Sequence, residues 1–154
     1  MNKFCAAAIQ MPTVEDKMKN IKAVRHYLEQ IKAQNVDFVV LPEMFCCPYQ
    51  TEKFPEYAEE EGDSVWKALS AYAKEYNIYL VAGSVPEKDD EGHVYNTCYI
   101  FDRNGIQIGK HRKTHLFDID VKGGQSFKES ATLTAGNNGT VFDTEFGRMG
   151  VMIC

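Results

Sequence analysis

The amino-acid sequence predicts an α/β fold in which a mixed β-sheet is layered with helices. Two observations lead to this prediction. Short apolar runs alternate with amphipathic helical stretches in the first half of the chain, which is typical of β-α-β units. Further along, Asn104-Gly105 lies between two apolar stretches, and Asn-Gly is a strong signal for a tight antiparallel hairpin. Because a purely parallel sheet would not contain such a hairpin, we expect a mixed sheet.

The beginning of the chain has the pattern of a first β-α-β unit. A continuous apolar run over residues 3–10 predicts a strand that is buried on both faces. Thr13 and Asp16 resemble a capping box, and the apolar residues that follow at three- and four-residue spacing predict a helix to about Ala33. Residues 38–41 form a short β-branched and aromatic run, which predicts the second buried strand.

The rest of the chain continues the alternation. Ser64 begins a second predicted helix, which Asn77 ends. An acidic turn is expected over 86–92, and the long polar stretch 114–138 is expected to be an ordered functional loop. The remaining predicted strands are apolar runs bounded by turn residues: 79–84, 95–101, 106–110, 141–144 and 148–153.

The composition fits one folded domain and excludes some functions. The chain has 154 residues, 44% of them hydrophobic, so it can bury a core of useful size. Its net charge of -5 argues against a nucleic-acid partner, because phosphate binding needs clustered Lys and Arg. There is no GxGxxG after a strand and no P-loop, so no cofactor is expected.

The cysteines and the first apolar run bear on location. Five cysteines at irregular positions, with no CxxC pair, fit a reducing compartment. The apolar run at 4–9 is too short for a signal peptide or a membrane span. The expected location is therefore the cytoplasm, with no membrane partner.

Three residues have positions that suit catalysis. Glu43 follows a buried strand, where ligands of α/β folds bind, and it could act as a general base. Lys113 follows a hairpin strand and could stabilise an oxyanion, and Cys154 follows an apolar run and could be a nucleophile. Each has an ordinary alternative: a solvated loop acid, a surface cation and a small core residue.

Taken in order, three segments resemble the signature segments of the nitrilase superfamily of carbon–nitrogen hydrolases. They are LPEMF at 41–45, KHRKTHLFD at 110–118 and GRMGVMIC at 147–154. The resemblance implies that Glu43 is the general base, that Lys113 stabilises the tetrahedral intermediate and that Cys154 is acylated. Cys46 and Cys47 are rival nucleophiles by composition only.

A finer resemblance, to the omega-amidase branch, rests on HLFDIDV at 115–121 and FKES at 127–130. Such enzymes hydrolyse 2-oxoglutaramate and 2-oxosuccinamate to carboxylate and ammonia. The resemblance places Glu129 at the family's additional active-site glutamate, which orients the lysine and the substrate amide. Tyr49 resembles an aromatic residue at the mouth of the substrate pocket.

The resemblance also implies a larger architecture. The family fold is a four-layer α-β-β-α sandwich, and residues 1–154 correspond to the N-terminal part of a single such domain, ending at the nucleophile. A polypeptide that stopped there would lack partner strands, so poor folding or inactivity is expected of it. The full-length protein is expected to form a homo-oligomer, commonly a dimer, and to act on a small-molecule amide.

Three alternatives stay open at this point. His111 and His115 lie four residues apart with Asp118 and Asp120 nearby, which is a weak metal-site pattern because the segment reads as a strand entering a loop. A non-catalytic module could keep the fold without turnover. Another amidase branch, such as an N-carbamoyl amine hydrolase, could use the same residues.

Overall fold

The computed structural model describes residues 3–154 and contains a five-stranded sheet in the order β1-β2-β3-β4-β5. The first three strands are parallel and the last three are antiparallel, so the predicted mixed sheet is confirmed. The strands are β1 (Ala6–Ala8), β2 (Phe38–Val40), β3 (Tyr79–Lys88), β4 (Val94–Phe101) and β5 (Gln107–Arg112).

Helices cover one face of this sheet. They are α1 (Lys17–Ile31), the single turn α2 (Phe54–Tyr57) and α3 (Ser64–Tyr76). The apolar faces of α1 and α3 pack on β2 and β3 around Val24, Leu69 and Leu80, which are fully buried. Asn77 ends α3 in the left-handed conformation, as its position after the helical pattern predicts.

The start of the first helix differs from the predicted capping box. Asp16, not Thr13, is the N-cap, and its side chain accepts a hydrogen bond from the backbone N–H of Lys19. The chain turns into the helix at Asp16 because that side chain can reach the third N–H of the helix, which is the requirement for a cap. The α-helix ends at Ile31, and a short 3-10 turn follows.

Two predictions about single strands are wrong. β1 is a three-residue edge strand with largely exposed residues, so the expected doubly buried strand is absent there. β3 continues to Lys88, past its predicted end at residue 84 and into the first part of the predicted 86–92 turn, because a register shift between Ala82 and Val85 lets the strand bend and keep pairing with β4.

The opposite face of the sheet contacts a separate antiparallel hairpin. Its strands are β8 (Thr140–Thr144) and β9 (Gly147–Val151), in agreement with the predicted pair. Phe142 packs with Phe38 and Ile100 of the sheet. The described part of the chain is therefore layered as helices, sheet and hairpin.

The stretch 114–138 contains more structure than the predicted loop. A small hairpin of β6 (Asp118–Asp120) and β7 (Ser126–Lys128) lies within it, followed by a 3-10 turn at Glu129–Ala131. None of the described helices has the length and apolarity needed to cross a bilayer.

Candidate active site

A tight turn after β2 positions Glu43. Met44 adopts a positive φ of 51°, and its backbone N–H donates to Ser84 Oγ at 2.9 Å. The backbone N–H of Ser84 in turn donates to the carbonyl of Pro42 at 3.2 Å. These two bonds fasten the turn to the irregular part of β3, so the Glu43 side chain is held by the sheet instead of by a free loop.

The hairpin strand β5 leads directly to Lys113. The backbone N–H of Lys113 donates to the carbonyl of Asn96 at 2.8 Å, and the carbonyl of Lys113 accepts from Gly136 at 2.8 Å. These bonds fix the main chain on both sides of the residue. The Lys113 side chain is buried, with 1% of its surface exposed.

Glu129 lies just after β7 and has no exposed side-chain surface. One of its carboxylate oxygens accepts from the backbone N–H of Phe117 at 2.6 Å, and its own N–H donates to the Phe117 carbonyl at 3.1 Å. The β6–β7 hairpin thus brings the carboxylate inward. A loop glutamate is usually exposed to solvent, so this burial distinguishes Glu129 from an ordinary surface acid.

The three charged side chains meet in one cluster. Lys113 Nζ lies 2.9 Å from Glu43 Oε1 and 3.0 Å from the carboxylate of Glu129. Burial lowers the pKa of Lys113, but the hydrogen bonds and charges of the two glutamates raise it by more. The net pKa of Lys113 lies above its usual value, so the side chain is a cation at neutral pH.

Tyr49 closes the cluster from the solvent side. Its hydroxyl contacts Glu129 Oε1 and lies 3.1 Å from Glu43 Oε1, and its ring stacks on Phe127 with centroids 5.7 Å apart. Burial, the hydrogen bond to Glu129 and the two negative charges raise the pKa of Tyr49. The hydroxyl therefore stays protonated, and its one proton can be donated to one carboxylate at a time.

Cys154 is not brought into this cluster. β9 ends at Val151, before the predicted strand end, and Cys154 is exposed with a φ of 64°. Within residues 3–154, no hydrogen bond or ion pair joins Cys154 to Glu43, Lys113 or Glu129. The structure thus assembles four of the five predicted site residues.

The rival cysteines have a different environment. Cys46 and Cys47 are both buried. A hydrogen bond with Cys47, together with burial, raises the pKa of Cys46 well above its usual value. A buried thiol with a raised pKa holds little thiolate, which makes Cys46 a poor nucleophile.

Two contacting residues were absent from the sequence prediction. Asn96 donates from Nδ2 to Glu43 Oε1 at 2.8 Å, and Ser84 holds the Glu43 turn. Asn96 and Thr97 are adjacent polar residues inside the otherwise apolar strand β4. Buried polar residues need partners, so this pair was a usable signal that periodicity alone does not detect.

The histidine pattern does not form a metal cluster. His111 Nδ1 lies 3.2 Å from Thr140 Oγ1, and Asp118 accepts from the backbone N–H of Ser130. Over residues 3–154, no three His, Cys, Asp or Glu side chains converge in a way that could share a metal ion.

The geometry suits chemistry on a carbonyl group. The Lys113 ammonium has three protons, and contacts with Glu43 and Glu129 account for two of them. The third remains for a carbonyl oxygen that gains negative charge. Glu43, whose side chain is 29% exposed, is the accessible carboxylate and can exchange protons with a bound molecule.

Comparison with known proteins assigns the chain to a family. The carbon-nitrogen hydrolase family profile matches residues 5–154. Omega-amidase NIT2 of Homo sapiens is 44% identical over the whole chain, and omega-amidase NIT2 of Danio rerio is 42% identical. In each case the chain covers 55% of the relative, so it spans about half the length of these curated proteins.

A solved structure agrees with the sequence relatives. Nit3 of Saccharomyces cerevisiae, described as a member of branch 10 of the nitrilase superfamily, superposes with a TM-score of 0.85 at 37% identity, over 97% of this chain and 54% of Nit3. The resemblance in the three sequence segments is thereby confirmed, and so is the mixed α/β class. The chain belongs to the carbon-nitrogen hydrolase family of the nitrilase superfamily, and its relatives include the omega-amidases.

Proposed function

We propose that the protein hydrolyses a small carboxamide to a carboxylate and ammonia through a thioester on Cys154. The main observation in support is the buried ion cluster, in which Lys113 Nζ lies within 3.0 Å of both Glu43 and Glu129. A carboxamide is a poor electrophile, and such a cluster supplies a base together with a fixed cation.

The proposed reaction has two halves. Glu43 takes the proton of the Cys154 thiol, the sulfur attacks the amide carbon, and the carbonyl oxygen gains negative charge beside Lys113. The carbon–nitrogen bond then breaks, and Glu43 returns the proton to the departing ammonia. In the second half Glu43 takes a proton from water, the water oxygen attacks the thioester carbon, and the thiol leaves with that proton.

Glu129 and Tyr49 have supporting roles in this proposal. Glu129 is fully buried and accepts a hydrogen bond from Lys113 at 3.0 Å, which keeps the ammonium in place during both halves. Tyr49 is partly exposed beside Phe127 and forms the mouth of the substrate pocket.

The names of the relatives support a proposal for the substrate class. We propose 2-oxoglutaramate and 2-oxosuccinamate as substrates, because relatives named omega-amidase are 42–44% identical over the whole chain. We also propose that the intact protein is cytoplasmic and forms a homodimer. Size-exclusion chromatography with light scattering would test the dimer.

The proposal is tested by ammonia release from the intact protein. Wild type should release ammonia from 2-oxoglutaramate, and Cys154→Ala should lower the rate by at least about 10³-fold because it removes the nucleophile. Cys47→Ala is the matched control and should keep most of the activity. If the protein hydrolysed N-carbamoyl amines in preference to 2-oxoglutaramate, the proposed substrate would be wrong. A folded wild-type protein that hydrolysed no amide would contradict the amidase function.

A further inference from the structure

Asn96 contacts the side chain of Glu43, the candidate base, and the main chain of Lys113, the candidate cation. It lies on β4 with no exposed surface. Its side-chain Nδ2 donates to Glu43 Oε1 at 2.8 Å, and its main-chain carbonyl accepts from the backbone N–H of Lys113 at 2.8 Å. One residue of β4 therefore connects Glu43 and Lys113.

The two oxygens of Glu43 have different surroundings. Asn96 Nδ2 and Lys113 Nζ both donate to Oε1, and the Tyr49 hydroxyl lies near the same oxygen. A carboxylate oxygen has two lone pairs in its plane, so two donors fill Oε1. Among residues 3–154, no donor contacts Oε2. A proton taken up by Glu43 must then go to Oε2.

The Asn96 side chain is not held by hydrogen bonds to the main chain of the described residues. Its Oδ1 is buried and has no hydrogen-bond partner in the described part of the chain. A buried acceptor without a donor costs free energy of folding. Asn20 is the structural contrast: it is equally buried, but its Oδ1 and Nδ2 both bond to the main chain of Val14, at 2.9 and 2.7 Å.

We propose that Asn96 is a positioning residue that fixes the rotation of the Glu43 carboxylate, so that Oε2 faces the reacting proton. This inference rests on the amidase function proposed above. Asn96 acts through Glu43 and does not itself contact the substrate. Removing its N–H lets the carboxylate turn about its last bond, and only part of the population then presents Oε2 correctly.

The test uses Asn96→Leu in the intact protein, with Asn20→Leu as the matched control. Asn96→Leu has a similar shape but no donor, and we expect kcat to fall about 10- to 100-fold with KM within about twofold of wild type. Its urea midpoint should equal or exceed that of wild type, because the unpaired Oδ1 is gone. Asn20→Leu should lower the urea midpoint and keep kcat.

A second readout does not require turnover. Iodoacetamide alkylates a cysteine as the sulfur–carbon bond forms, iodide leaves and the thiol proton passes to a base. We expect Asn96→Leu to slow alkylation of Cys154 about 10-fold, and Asn20→Leu to leave the rate unchanged. Asn96→Val, whose side chain suits a strand, repeats both measurements if the leucine does not fold.

The outcomes separate this inference from the proposed function. Wild-type kcat and alkylation rate in a folded Asn96 variant would overturn the inference while amidase activity stands. Equal losses in the Asn20 and Asn96 variants would also overturn it, because a structural role would explain both. If wild type releases no ammonia from any amide, the proposed function fails, and the alkylation rates alone decide the role of Asn96.

Discussion

At the scale of single residues, Glu129 forms a buried ion pair with Lys113, and its loss should destabilise the fold. Its carboxylate is fully buried between Lys113 and the backbone N–H of Phe117. We predict that Glu129→Gln lowers the free energy of unfolding by about 3 kcal/mol, the low end for removing one partner of a buried pair, because Lys113 keeps Glu43. Urea unfolding measures this change.

The control for Glu129 is an exposed glutamate in an ion pair. Glu56 pairs with Lys53 at 3.2 Å, and 62% of its side chain is exposed. Glu56→Gln should change the free energy of unfolding by less than about 0.5 kcal/mol. If the two variants changed the free energy of unfolding by similar amounts, the buried Glu129–Lys113 ion pair would not stabilise the fold as described.

The raised pKa of Lys113 gives a prediction about stability at high pH. Partners that raise a lysine's pKa in the folded protein stabilise it fully below the unfolded pKa, and this stability is lost as the pH rises through the folded pKa. The test is to compare wild type with the double variant Lys113→Met/Glu129→Gln, in which Glu43 is the one charged side chain left in the cluster. The difference in free energy of unfolding should be constant from neutral pH to about pH 10 and should shrink above that. A constant difference throughout would show that Lys113 does not titrate as described.

The sequence predicted Glu43, Lys113, Glu129 and Tyr49 through segment resemblance, and the structure brings these four together. It did not predict Asn96. Every residue of β4 is buried in the structure, and burial alone does not show which distant acceptor a buried amide meets. Glu43 and Asn96 are 53 positions apart, so only the pairing of the strands determines their contact.

At the scale of elements, the Glu43 turn depends on Gly83. This residue has a φ of +44°, and an added Cβ would lie 2.1 Å from the carbonyl oxygen of Pro42. We predict that Gly83→Ala costs at least about 3 kcal/mol of stability, because strain adds to a clash with backbone. It should also lower kcat, since the displaced turn holds Glu43.

Gly62 is the matched control for this element. Its φ is +94°, and nothing lies within 4 Å of an added Cβ. Gly62→Ala should cost only the conformational term of about 1–2 kcal/mol and leave kcat unchanged. Equal effects of the two substitutions on stability and kcat would show that the close approach at Gly83 is unimportant.

Sequence reasoning found most elements and missed those that depend on tertiary contacts. The helix that ends at Asn77 and the hairpin at Asn104-Gly105 follow from local signals and are confirmed. The β6–β7 hairpin inside 114–138 has weak local signals, and its position depends on Glu129 bonding to Phe117. From sequence alone, a polar stretch of this kind is predicted to be a loop, because the burial of Glu129 is not visible in the local pattern.

At the scale of the whole molecule, Arg103 joins three parts of the chain. It donates to Asp37 before β2 at 2.6 Å, to the Asn77 carbonyl after α3 at 2.6 Å and to Glu145 in the β8–β9 turn at 3.0 Å. We predict that Arg103→Met costs about 2 kcal/mol and speeds amide hydrogen exchange in β9.

An arginine within the same hairpin supplies the control. Arg148 pairs with Asp143 at 2.9 Å, and both side chains are 71% exposed. Arg148→Met should leave both the free energy of unfolding and the exchange in β9 nearly unchanged. If the two variants exchange alike, Arg103 does not hold the hairpin on the sheet.

In the proposed reaction Glu43, Lys113 and Glu129 support the formation and hydrolysis of a thioester on Cys154, and trapping that thioester is the direct test. Intact protein is mixed with 2-oxoglutaramate, quenched in acid within the first turnover, and analysed by intact-mass and peptide mass spectrometry. We expect a mass gain equal to the acyl group, located on the peptide that contains Cys154, with one ammonia released per acyl group and no gain in Cys154→Ala. Ammonia release with the acyl group on another residue, or with an unchanged rate in Cys154→Ala, would contradict it.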